Sequence, residues 1–218
     1  MITPSSLLSA VGRAAAGSFR APPVNRRGNS YAVTLITPIL PNRSNALRDV
    51  LHGFELGPKS PLAKVPDVHF ARWIVIDRLR LDWPGAPKRP SRLRSQYLLF
   101  SADLTAPSER AARLPGTFFR DLAQHIPGEC DAIWKHCVNF PGVADLDHFV
   151  QYLSGSQIDI DLYYAAFPDL TPSEITRATN VRQEFARFVL RHQDALFSDR
   201  GHDTLKAAYI EESASWGL

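Results

Sequence analysis

A chain of 218 residues, 44% hydrophobic and 22% charged, holds one domain with extensions or at most two small ones, and its core needs no staple. The net charge of +3 is uneven: the first 48 residues hold six arginines and no acid, which leaves −3 for the remainder and argues against a broad nucleic-acid surface. No apolar run nears the roughly 18 residues of a membrane span. Cys130 and Cys137 lie seven apart on one expected helix, roughly 10 Å and too far to pair, so both read as reduced thiols of a cytoplasmic protein.

Residues 1–30 read as a basic arm. Ser5 to Phe19 can form a helix with Leu8, Val11, Ala15 and Phe19 on one side and Arg13 and Arg20 on the other. An Arg-rich, acid-free segment fits an organelle transit peptide, which implies a mitochondrial protein. It fits better a bacterial N-terminal extension that docks on the body or on a partner subunit, since Ala/Arg/Pro-rich extensions are common in high-GC coding. The main domain is expected over 31–200, with a tail at 201–218.

Tyr31 to Ile39 alternates as a first strand. Ser44 can cap a helix carrying Leu47, Val50, Leu51 and Phe54 at helical spacing, ended by Gly57-Pro58. Val68 to Asp77 is the longest strand-like run, apolar on both alternating faces, and is expected at the centre of the sheet with a cover on each side. A Pro/Arg-rich connection over 80–95 leads to a short strand, Gln96 to Ala102, so the two strands should form an antiparallel hairpin. Helices are expected over Leu114 to Ile126, Glu129 to Cys137 and up to Leu153, then a fourth strand over Ile158 to Phe167. Thr171-Pro172-Ser173-Glu174 is a capping box that starts a helix running to about His192. A last helix is expected over Thr204 to Ser213.

That order is β-α-β-β-α-β with added C-terminal helices. It predicts an α+β, ferredoxin-like antiparallel sheet with helices on one face. The other face then needs a cover: the chain's own added helices, or the sheet of a second copy in a homodimer with a ligand cavity between sheets.

The segments VTLITPI, VHFARWIVID, YLLFSADL and ECDAIWKHC followed by FPG resemble a group of bacterial α+β proteins near the dimeric α/β-barrel superfamily. The resemblance covers about residues 31–193. That superfamily includes dye-decolorising peroxidases, chlorite dismutases and small cofactor-free monooxygenases, so it does not choose one chemistry. The peroxidase hallmark Gly-x-x-Asp-Gly is not met, because Gly142-Val143-Ala144-Asp145 is followed by Leu146.

Few residues stand out as chemical. Arg72 lies among apolar neighbours and needs a carboxylate or an anionic ligand. His69 reads as a hydrogen-bonded histidine at the strand entrance, a general base or a haem ligand. Three residues apart on a strand, His69 and Arg72 point to opposite faces unless a bulge intervenes. Asp159 and Asp161, about 7 Å apart on a strand, suit paired acid/base work or a charged edge, and Asp161 is a candidate partner for Arg72. Were haem the cofactor, as the resemblance allows, His69, His136 and His148 are the ligands to consider and Arg72 the distal cation. The spacing of Cys130 and Cys137 matches no zinc site. Two functions follow. One is binding of a small, mostly apolar molecule, or peroxidase-like oxidative chemistry on it, in a cavity behind the sheet. The other is a non-catalytic self-associating or partner-binding module.

Overall fold

The computed structural model describes residues 25–78, 85, 92–105, 114–194 and 201–216. The arm helix expected at Ser5–Phe19 and most of the Pro/Arg-rich connection lie outside them. Among the described residues the fold is α+β: an open, four-stranded antiparallel sheet and six α-helices. The strands are β1 (Arg26–Arg27), β2 (Ser30–Pro38), β3 (Val68–Arg78) and β4 (Arg92–Thr105). The helices are α1 (Ser44–His52), α2 (Gly116–His125), α3 (Pro127–Trp134), α4 (Leu146–Gly155), α5 (Pro172–Arg191) and α6 (Gly201–Ser213).

The sheet order is β1-β2-β4-β3. The expected hairpin is present and long, with β3 antiparallel to β4 from Val68↔Leu104 to Arg78↔Arg92. Its place in the sheet corrects the sequence reading, because β3 is an edge strand and β4 is the central one. Apolar residues on both faces of β3 could not distinguish a covered strand from an edge with an open outer face. The outer face is open there: Phe70 is 48% and Ile74 39% exposed.

The inner face is packed in the way alternation dictates. Val33 and Leu35 of β2, Leu98, Phe100, Ala102 and Leu104 of β4, and Trp73 of β3 point toward the helices. Phe118, Phe119 and Leu122 of α2, Ile133 and Trp134 of α3, and Phe149 of α4 meet them. Trp134 centres an aromatic cluster, with ring centroids 6.0 Å from both Phe100 and Phe149 and 6.4 Å from Trp73.

The fourth strand expected over Ile158–Phe167 is also corrected. Only a single bridge, Leu35↔Gln157, links that segment to the sheet, supported by bonds from Ile36 N to Ser156 O and from Ile158 N to Thr34 O, both 2.9 Å. Beyond it the chain is irregular but pinned. Ile160 N donates to Asn25 Oδ1 at 2.9 Å, Ser30 Oγ donates to Pro168 O at 3.1 Å and Thr105 Oγ1 donates to Leu170 O at 3.1 Å. Asp159, Asp161 and Tyr163 alternate as a strand would, but this backbone bonds to side chains rather than to a ladder. Gly28, in the β1–β2 turn, takes φ +57°, a backbone that other residues adopt only under strain, and it packs against Pro168 and Asp169. Segment 157–170 therefore covers the β2 side of the outer face, where Ser30 and Ala32 are buried, and leaves the β3 side bare.

Candidate functional site

Chemistry-bearing residues gather along β3. The register of β3 against β4 shifts between Val68 and Phe70, which pair with the adjacent residues Leu104 and Asp103. His69 is the extra residue of this bulge. It joins Phe70 and Arg72 on the outer face instead of pointing to the core. Both His69 and Arg72 then act electrostatically on Asp103 of β4. The bulge thus brings together two residues that plain alternation separates.

The Thr105 hydroxyl donates to the Leu170 carbonyl at 3.1 Å and is in contact with His69 Nε2. Burial pushes the His69 pKa down, against the pull of Asp103 and Asp67. The ring is neutral at neutral pH and able to accept a proton. Burial also pushes the Asp103 carboxyl up, opposed by His69 and Arg72. Tyr163, brought in by the irregular segment, is raised by burial and by the Asp103 charge. Tyr163 stands in the sequence beside Asp159 and Asp161 with no role of its own, and nothing there marks Asp103 or Thr105; only the register of β4 brings those two to His69.

Arg72 is exposed rather than buried, with its Cζ 5.5 Å from the Phe70 ring centroid. The carboxylate beside it is Asp103. Asp161 is exposed in the irregular segment and forms no ion pair among the described residues.

On its other side, Arg72 borders an open groove of about 460 Å³ between α1 and the free edge of β3. Phe54, Leu56, Leu62, Trp73 and Ile74 give the groove an apolar lining. Trp73 has its indole Nε1 buried with no hydrogen-bond partner among the described residues. Arg48 closes one wall, donating to Asp77 Oδ1 at 2.6 Å and to Val75 O at 3.2 Å. The volume is that of a small-molecule site, with mostly apolar walls and the charged Arg48, Arg72 and Glu55 among its lining.

Two of the three histidines considered for haem, His136 and His148, do not share a space with this region. His136 follows α3, where its carbonyl accepts from Leu40 N at 2.8 Å. That is the Pro38/Tyr97 end of the sheet, whereas His69 lies at the Thr105 end, about 27 Å away along β4. His136 is buried and neutral, its pKa lowered by burial and by Lys135 and Arg43. His148 stands exposed on α4 with Nδ1 2.6 Å from Asp145 Oδ2, and that contact raises its pKa. A haem needs an axial ligand facing an apolar slot, and none of His69, His136 and His148 lines the groove beside Arg72. The residues present do not fit that group.

Among the described residues no group of three or more His, Cys, Asp or Glu side chains could hold a metal ion, and no helix is long and apolar enough to cross a membrane. Compared with known proteins, the chain matches no family model, and neither the curated proteins nor the solved structures contain a significant match.

Proposed function

We propose that this protein binds a small, mostly apolar molecule bearing an acidic group, with its body in the β3-edge groove and its acid on Arg72. The observation that carries the reading is the groove itself: about 460 Å³ of largely apolar wall with the Arg72 guanidinium at its border. Arg72 has no ion pair of its own among the described residues, and the Trp73 ring lines the same groove. A ligand carboxylate supplies the acceptor that Arg72 lacks. His69, Asp103 and Tyr163 lie further along the outer face, where the His69 lone pair can take a proton from a ligand long enough to reach it.

The test uses benzoate, naphthoate and octanoate as probes, followed by NMR at the Trp73 indole N–H. Acids with an apolar body should shift that resonance, and Arg72→Ala should weaken binding about tenfold through loss of one charge-assisted hydrogen bond. No shift with any probe, or shifts indifferent to Arg72, would remove the proposal.

A second reading has its own support. Phe70 and Ile74 are too exposed for a monomer's sheet face, which favours self-association through that face. Ile74→Glu should then halve the mass seen by sedimentation; a monomeric parent rules this reading out. A ferredoxin-like reading of the fold rests on β2 and β3. Both run antiparallel to β4, which lies between them, and so they share a direction while α1 connects them.

A further inference from the structure

We infer that the α5–α6 pair is a docking surface for an acidic amphipathic helix of a partner protein. This goes beyond the β3-edge groove and rests on none of its residues. α5 is 20 residues long, yet Phe188 is the only one of them that is buried. The α5–α6 contact is a small aromatic knot. Phe188 lies 5.8 Å from Tyr209 and 5.9 Å from Trp216, and Tyr209 lies 5.5 Å from Trp216, centroid to centroid. Arg191 and His192 add ion pairs to Glu212.

The rest of the apolar stripe is only partly covered. Phe185 meets Tyr209 and Trp216 with ring centroids 6.4 and 6.3 Å away, and Ile175, Phe185 and Val189 remain 36%, 48% and 38% exposed. With Ala178 and Arg182 they fall at positions 175, 178, 182, 185 and 189, the three-four alternation of a helix seam. The seam spans about 21 Å, four helical turns. Open apolar grooves flank it. One of about 550 Å³ is bordered by Arg177, Arg182, Phe185 and Trp216. Another of about 360 Å³ is bordered by Phe167, Leu170, Ile175 and Arg182. A third of about 310 Å³ is bordered by Val189, His202, Leu205 and Lys206. A helix laid along the seam fills such grooves with its own apolar side chains.

Charge identifies the occupant. Arg187 pairs with Glu184 and Arg191 with Glu212. Over their lengths α5 and α6 carry five cations and five acids, so any excess is local to the grooves. The groove linings hold Arg177, Arg182 and Lys206 against one acid, Glu174, which feels the charge of Arg177. Arg182 and Lys206 are in no ion pair among the described residues. The groove rim is therefore basic. A second copy fits poorly. An antiparallel, two-fold pairing of the seam is centred on position 182 and sets Arg182 against its own mate, with like charges meeting where water is excluded. A carboxylate there, on a helix with apolar anchors, meets both demands.

The test uses the full chain and two synthetic helices of about 15 residues. Both carry Leu and Phe at seam positions, one flanked by Glu and the other by Lys. Fluorescence anisotropy should show the Glu helix binding at least about tenfold more tightly than the Lys helix. Arg182→Glu should invert that order without changing thermal stability, since Arg182 is exposed. Equal binding of the two helices, binding of neither, or an order that Arg182→Glu leaves intact would overturn the inference. Self-association that the Glu helix competes away would assign the seam to a second copy. Capture by phosphatidylserine vesicles without peptide binding would assign it to a membrane. Either outcome overturns it as well.

Discussion

Replacing Arg48 by Met should loosen α1 from the edge of β3 and open the groove beside Arg72. Arg48 is the clamp: its guanidinium reaches Asp77 Oδ1 at 2.6 Å and Val75 O at 3.2 Å. The Asp77 side chain is only 8% exposed, so loss of Arg48 strands a nearly buried carboxylate. Breaking a buried pair from one side costs about 3–5 kcal/mol. Two features lower that here. The Arg48 side chain is 29% exposed, and Arg78 Nε remains 3.6 Å from the same oxygen. A loss of about 2 kcal/mol is expected, worth roughly 4–8 °C in Tm for a chain of this size. The loss should depend on pH in one direction. The hydrogen bond from Arg48, with its charge and that of Arg78, holds the Asp77 carboxyl below the usual aspartate range. The pair's contribution is complete above about pH 4 and fades as pH falls through the lowered folded value. Urea melts of parent and variant should therefore differ most near neutrality and converge in acid. Asp77→Asn on top of Arg48→Met should recover part of the loss, because an amide is cheaper to bury than an unpaired charge. A difference under about 0.5 kcal/mol at neutral pH, or one undiminished at about pH 2.5, would refute the reasoning.

The His69 ring should titrate below the ordinary histidine range by NMR, and Asp103→Asn should move it further down, since the Asp103 charge is what raises it; an upward move would show that Asp103 does not face the ring. Cys130 and Cys137 are both buried and both raised by burial, Cys137 to about 11. Neither should react with a thiol reagent at neutral pH until the protein is unfolded, and prompt reaction of the native protein would contradict their burial.

Strong local signals fixed the elements. Thr171-Pro172-Ser173-Glu174 marks the start of α5 because the cap is written in four adjacent residues, and both reciprocal bonds are formed. The hairpin of β3 and β4 follows from two strand-like runs with one connection. Lateral position is not written locally. Nothing in Val68 to Asp77 distinguishes an edge from a centre, since Phe70 and Ile74 look the same whether or not something covers them. Ile158 to Phe167 alternates like a strand, yet its backbone groups find Asn25 and the sheet's edge at one bridge only. The site was half legible. His69 and Arg72 were visible as odd residues in an apolar run. Their meeting depends on a one-residue slip against β4, and pairing register belongs to two segments at once.

The position of β3 also explains why its groove suits a small molecule better than an added strand. A bare edge strand invites pairing with another chain. Here Arg48 occupies the Val75 carbonyl, and the bulge at His69 breaks the spacing of the edge. Leu56 and Leu62 line the groove beside it. An extended peptide needs several free backbone groups in register, and the Arg48 bond and the bulge interrupt them. The groove offers side-chain surface: aromatic and aliphatic walls, two guanidiniums and the Glu55 carboxylate. The α5–α6 seam differs in kind. It is long, helical and rimmed by Arg182 and Lys206, whereas Arg72 on the outer face has the Asp103 carboxylate near it. A compact groove bordered by Arg72 and a long seam with basic groove rims call for different occupants. Variants at Arg72 and at Arg182 should therefore act on separate binding events.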